Sequence, residues 1–219
     1  ENRAYEALLV PKVDSLKKEM EKKLPGSKEY EALNNEQLRL IDEKAQMIKE
    51  LQQKYPGSFF VTFKVAGQNP KLQYPKKPNG DLDTLIQIIM LRNEFWQNYD
   101  FSDVRLLRTP VYANKMSKYL NTMFYQQPDS LMEGVKFILS NAEKGDKEIF
   151  SFTVNYLLFT YEKPKVMGGE KIFCYTVENY FTHEKAFWTD STNVIRAGMK
   201  ANIMRAGLLG ETGQDLNCK

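Results

Sequence analysis

The sequence is poor in the residues that most site chemistry requires. It holds one histidine, His183, which excludes any centre that needs two imidazoles. Its two cysteines, Cys174 and Cys218, lie far apart and have no CxxC partner, so they make neither a disulfide framework nor a metal site. An excess of one charge is also missing. The 31 Lys+Arg stand against 28 Asp+Glu, and a net charge of +3 leaves no basic footprint for nucleic acid. No run approaches the roughly 18 apolar residues of a membrane span, and none has the form of a signal-peptide core. There is no internal repeat of fixed period. Gly168-Gly169 is not a phosphate loop, because it lacks the GxxxxGK pattern and a preceding strand.

What is present is unevenly spread. Residues 1–55 carry 11 Lys/Arg and 11 Asp/Glu but only three aromatics, Tyr5, Tyr30 and Tyr55. Residues 56–80 carry four lysines and no acid, and most of the 27 aromatics lie beyond them. The front is a charged amphipathic segment and the back an aromatic-rich globule. Length allows one good core, or one core plus an appendage.

In the front, Tyr5, Leu9, Val13, Leu16, Met20 and Leu24 recur at helical spacing. Pro11 either starts the main helix in its first turn or kinks it. Pro25-Gly26 breaks the pattern and Ser27 caps a second helix, which carries Leu33, Ile41, Ala45, Ile48 and Leu51 as far as Pro56-Gly57. The expectation is an antiparallel hairpin of helices about 14 and 28 residues long. It packs as an ordinary pair, since its stripe is short and impure for a free coiled coil. Phe59–Val65 fits a strand or a short helix, and periodicity does not decide between them. The Pro75, Pro78 and Asn79-Gly80 cluster reads as a connector.

Further helices are expected from Asp81 to Tyr99, from Thr109-Pro110 onward, from Gln127-Pro128 to Lys144, from Glu170 to Phe181, and from Asp190 to Gly207 or Gly210. In the first of these, Leu82, Leu85, Ile86, Ile89, Met90, Asn93 and Trp96/Gln97 form a helical face, and Leu91, Phe95 and Tyr99 widen it, so the helix is expected to be central. In the last, Val194, Ile195, Met199, Ile203 and Met204 face inward. Glu148–Tyr161 alternates like a strand but also fits a helix. Its length and neighbours favour a buried helix. The fold class is therefore all-α: an N-terminal antiparallel hairpin (1–55), an apolar segment and Pro/Lys connector (56–80), a multi-helix orthogonal bundle (81–210), and a terminal segment (211–219).

Candidate chemistry is sparse. Asp100 and Asp103 could be a carboxylate pair or half a metal site, but turn carboxylates beside a helix end are usually caps. His183-Glu184 lacks a nucleophile and an orienting group. Cys174 lies on an apolar helix face and reads as a small buried hydrophobe. Aromatics at helical spacing are core before they are a stacking surface. No residue is assigned a catalytic, cofactor-binding or metal-ligating role.

One stretch is distinctive. Glu94-Phe-Trp-Gln-Asn-Tyr-Asp-Phe-Ser-Asp-Val-Arg-Leu-Leu-Arg-Thr-Pro-Val-Tyr112 packs aromatics before a polar turn and restarts a helix at Thr109-Pro110. It resembles the signature HYWDNFDFSDxRLLRTPVF of a helical domain of unknown function. That domain precedes thioredoxin-like (TlpA/ResA-type, redoxin) domains in secreted or lipid-anchored proteins of Gram-negative bacteria. Gln127–Ser130, Lys165–Gly168 and Tyr180-Phe181 before Trp188–Asp190 also resemble it, over about residues 56 to 210. Glu94-Phe95 replaces the usual His-Tyr, so any role of that histidine is absent.

The resemblance implies a periplasmic or outer-membrane-anchored setting. It also implies a non-catalytic helical module whose partner is a thioredoxin-like domain further along the same chain. The redox CxxC would lie beyond residue 219, since the start at Glu1 and the end at Asp215–Lys219 read as cuts. Substrate proteins or a homodimer partner are further expectations; nucleic acid and a membrane span are not. The alternative is a self-standing helical protein that binds a peptide or small ligand in a tyrosine-lined groove between hairpin and globule.

Overall fold

The computed structural model describes residues 2–24 and 27–208, with residues 2–10 described by their backbone alone. Among the described residues every regular element is helical. The α-helices are α1 (Asn2–Met20), α2 (Lys28–Lys54), α3 (Phe59–Ala66), α4 (Thr84–Glu94), α5 (Val111–Thr122), α6 (Pro128–Lys144), α7 (Lys147–Glu162), α8 (Glu170–Tyr180) and α9 (Ser191–Arg205). A 3-10 turn, Val104–Arg108, stands between α4 and α5. The chain divides into two compact units, Glu1–Val65 and Ala66–Lys219.

In the first unit α1 packs on α2. Pro11 neither starts nor ends α1; the helix runs through it, so α1 has 19 residues rather than about 14. Ser27 caps α2 as its residue type favours, its hydroxyl accepting from the Tyr30 N–H at 3.2 Å. Arg39 bridges Glu36 and Glu43 along the same helix. The Phe59–Val65 ambiguity resolves to helix. A strand needs a neighbour to satisfy its N–H groups, and no second strand exists among the described residues.

In the second unit α6 packs on α5, α7 and α8, and α8 packs in turn on α7 and α9. Leu131, Val135, Ile138 and Leu139 of α6 are almost wholly buried, with Ile149, Val154 and Leu157 of α7 and Ile172 of α8. Each such side chain stabilises the fold by about 1.5–3 kcal/mol. Glu148–Tyr161 lies within a helix. Its buried residues, Ile149, Phe150, Thr153, Val154, Leu157 and Tyr161, recur at three to four rather than two. Asp146 caps that helix, accepting from the Glu148 N–H at 2.7 Å.

Two expectations are corrected. The helix expected from Asp81 to Tyr99 is central only at its end: α4 stops at Glu94 with none of its residues buried and Leu85 63 % exposed, while Phe95, Trp96 and Tyr99 beyond it are buried. In α9 only Val194 and Ala201 are buried. Ile195, Met199 and Ile203, expected inside, face out.

Candidate interaction surface

The signature stretch builds the tightest corner of the second unit. Phe95, Trp96 and Tyr99 leave α4 into the core at 1 %, 5 % and 5 % exposure. Trp96 meets Phe95, Tyr99, Tyr112 and Tyr119 edge to face, with ring centroids 5.5 to 6.0 Å apart. Tyr99 and Tyr112 stack at 5.0 Å. The polar turn follows because its side chains serve its own backbone. Asp100 accepts from the Ser102 N–H at 2.8 Å, and Asp103 accepts from the Arg105 N–H at 3.1 Å. Asp103 is also gripped by the Arg105 guanidinium, at 2.8 and 2.6 Å, which holds its carboxyl below the usual carboxylate range. These bonds engage the pair as turn and cap groups. The helix restarts at Thr109-Pro110 as expected, with Pro110 at the N-cap and α5 running from Val111; what sequence did not foresee is the 3-10 turn, Val104–Arg108, that precedes it.

The corner is tied to the α6–α7 junction by backbone. Asp146 N–H donates to the Phe101 carbonyl at 2.9 Å. Gly145 lets the strands of chain approach, since a Cβ there would stand 2.3 Å from the Phe101 oxygen. Deeper in, the Tyr112 hydroxyl and Thr153 Oγ1 lie 2.5 Å apart, and Thr153 donates to the Ile149 carbonyl at 2.6 Å. Burial pushes the Tyr112 phenol up, against the pull of Thr153. Trp96 Nε1 and Tyr99 Oη are buried without a hydrogen-bond partner.

The other residues singled out by sequence are dispersed. His183 and Glu184 are exposed in the turn after α8. Cys174 is buried on α8, its thiol donating to the Ala201 carbonyl at 3.4 Å, and burial pushes its pKa up. Cys218 lies outside the described residues. Gly168 takes a positive φ of 78° and Gly169 abuts Pro164, so the pair makes a turn into α8. Among the described residues no three His, Cys, Asp or Glu side chains converge as a metal site would require, and no helix is long and apolar enough to cross a membrane.

Sequence reading passed over Lys115. It shares a helical face with Tyr112, Met116 and Tyr119, and at 5 % exposure it is the one buried cation among the described residues. Its ammonium sits 4.4 Å from the Phe95 ring centre and donates to the Gln68 carbonyl at 3.1 Å. Burial, with the nearby Lys118 charge, brings its pKa down to about 8. A lysine at core spacing between aromatics was the signal that could have found it.

The surface feature that calls for a partner is the outward side of α7 and α9. Val194 and Ala201 bury one side of α9, while Ile195, Met199 and Ile203 repeat every four residues on the opposite side at 48, 62 and 76 % exposure. A helix apolar on opposite faces is one built to be covered on both. Phe159 of α7 is 83 % exposed. Glu162, one turn from Phe159, pairs with Lys200, one turn from Ile203. That ion pair ties α7 to α9 one turn from these exposed apolar side chains.

A family model described as a domain of unknown function, DUF5106, matches residues 39–206. No curated protein and no solved structure matches the chain.

Proposed function

The chain belongs to the DUF5106 family, a domain of unknown function, and from that premise we propose that it is a non-catalytic helical accessory domain. It serves a thioredoxin-like (TlpA/ResA-type) domain placed further along the same chain, in a periplasmic or outer-membrane-anchored protein. Its task is to position that redox domain, to dimerise it, or to present substrate to it.

The observation that carries this reading is the outward patch of α7 and α9. α9 is the last helix among the described residues, and Ile195, Met199 and Ile203 leave an apolar face on it that a following domain could cover. The resemblance of Phe95–Tyr112 supplies the identity of that neighbour. The state of Cys174 is consistent with redox chemistry lying elsewhere. A thiolate is the attacking species in thiol–disulfide exchange, and Cys174 is buried with its thiol pushed up.

Three results test the reading. The coding sequence beyond residue 219 is expected to contain a CxxC within a strand–helix–strand pattern. The 219-residue chain is expected to show no insulin reduction by dithiothreitol turnover above background; robust turnover overturns the non-catalytic assignment. In the full-length protein, amides of α9 are expected to exchange hydrogen more slowly than in the 219-residue chain. Equal exchange overturns the docking role.

A further inference from the structure

We propose that the second unit holds a binding site for a small amphipathic carboxylate beneath the chain segment 67–73. The segment is strapped down at both ends. At one end the Lys115 ammonium donates to the Gln68 carbonyl at 3.1 Å and the Lys118 ammonium donates to Asn69 Oδ1 at 3.0 Å. At the other, the Gln87 side chain donates to the Gln73 carbonyl at 2.5 Å, and the Gln73 side chain donates to Glu94 at 2.8 Å. Between the straps the chain stands off α4 and α5 and leaves a cleft of about 270 Å³. Leu72, Ile88, Leu91 and Met123 are among the residues that line it, and the bonded pair Lys118 and Asn69 brings charge and an amide to the same lining.

The chemistry of the cleft is lopsided. Its apolar lining suits a hydrocarbon chain, and its volume, just below the usual range for ligand pockets, suits a short one. The two ammoniums, one helical turn apart, are held by neutral oxygens, Gln68 O and Asn69 Oδ1, rather than by carboxylates. Lys118 is exposed and keeps donor capacity beyond its bond to Asn69. A carboxylate placed at the cleft mouth would accept from Lys118 and from the Asn69 amide, and would compensate the paired positive charge. A charge-assisted bond of this kind is stronger than the neutral contact it displaces. The ligand class is therefore a carboxylate with a short aliphatic chain. This site is separate from the α7–α9 patch and stands or falls independently of any downstream domain.

The test is an NMR titration of the 219-residue chain with sodium octanoate below its micellar concentration, with 1-octanol as the uncharged counterpart. Saturable shifts are expected at Leu72, Ile88, Leu91, Lys118 and Met123, with 1-octanol binding more weakly. Lys118→Met, an exposed substitution whose folding is checked by circular dichroism, is expected to weaken octanoate about tenfold while leaving 1-octanol unchanged. Lys118→Arg is expected to retain most of the affinity. Absence of saturable shifts at these residues overturns the site. Equal octanoate binding by Lys118→Met, or equal binding of octanoate and 1-octanol, overturns the carboxylate assignment.

Discussion

The corner around Trp96 and the outer side of α9 are both apolar stretches at helical spacing, yet they have opposite fates. In the corner, Phe95, Trp96 and Tyr112 are at most 5 % exposed, and the chain is tied through Asp146 N–H to Phe101 O. On α9, Met199 and Ile203 stand 62 and 76 % exposed. The corner spends its side chains on local closure; α9 keeps a second stripe after its first is buried on α8. Periodicity reports that a face is apolar, and only the neighbours decide whether it is covered.

The largest effect is expected at Trp96. Trp96→Ala empties the centre of the ring cluster and is expected to cost about 3–5 kcal/mol, read as a fall in the urea midpoint. Gly145→Ala forces a methyl against the Phe101 carbonyl, and is expected to cost about 1–3 kcal/mol by the same measurement. Thr153→Val keeps the shape but leaves the Tyr112 hydroxyl without its partner. A loss of about 1–2 kcal/mol is expected, and a neutral result would mean the hydroxyl finds another acceptor.

Lys115 sharpens the contrast through pH. Its folded pKa of about 8 lies below the ordinary 10.5, so between those values the unfolded chain holds a proton that the folded chain has lost. Stability therefore rises with pH through that window. Above pH 10 the sign reverses. Tyr119, Tyr161 and Tyr180 are pushed up to about 12 by burial, and the unfolded chain ionises first. Thermal melts across pH 7 to 11 are expected to show a maximum near 10, and Lys115→Met is expected to remove the rise without removing the fall.

The smallest effect belongs to α9. Ile203→Asp is expected to leave the stability of the 219-residue chain within about 0.5 kcal/mol, because the side chain is already in water. In a chain that carries the proposed thioredoxin-like domain, the same change is expected to restore fast exchange to α9. A large loss of stability in the 219-residue chain would mean the stripe is covered within it.

Helix placement was largely legible because caps are local. Ser27 and Asp190 each accept a backbone N–H within three residues, and Pro128 opens α6 at its first turn. Asp100 and Asp103 were likewise readable as turn groups. The 3-10 turn was missed because its cap and its length mimic a simple polar turn. Lys115 was hidden because its partner, Gln68 O, lies 47 residues away in sequence. The cleft beneath 67–73 was equally unreadable, since the straps at its two ends reach α5 and α4.

Composition and spacing alone pointed to an all-helical fold with an aromatic core, and to one stretch that resembles a helical domain of unknown function. Those properties are set by residues within a turn or two of each other. Tertiary structure alone decided which apolar faces are covered, that Phe59–Val65 is helical, and where a buried ammonium would sit. Each of these depends on what distant segments bring to the same place. At α9 they bring α8 to one side, and the other side stays in water.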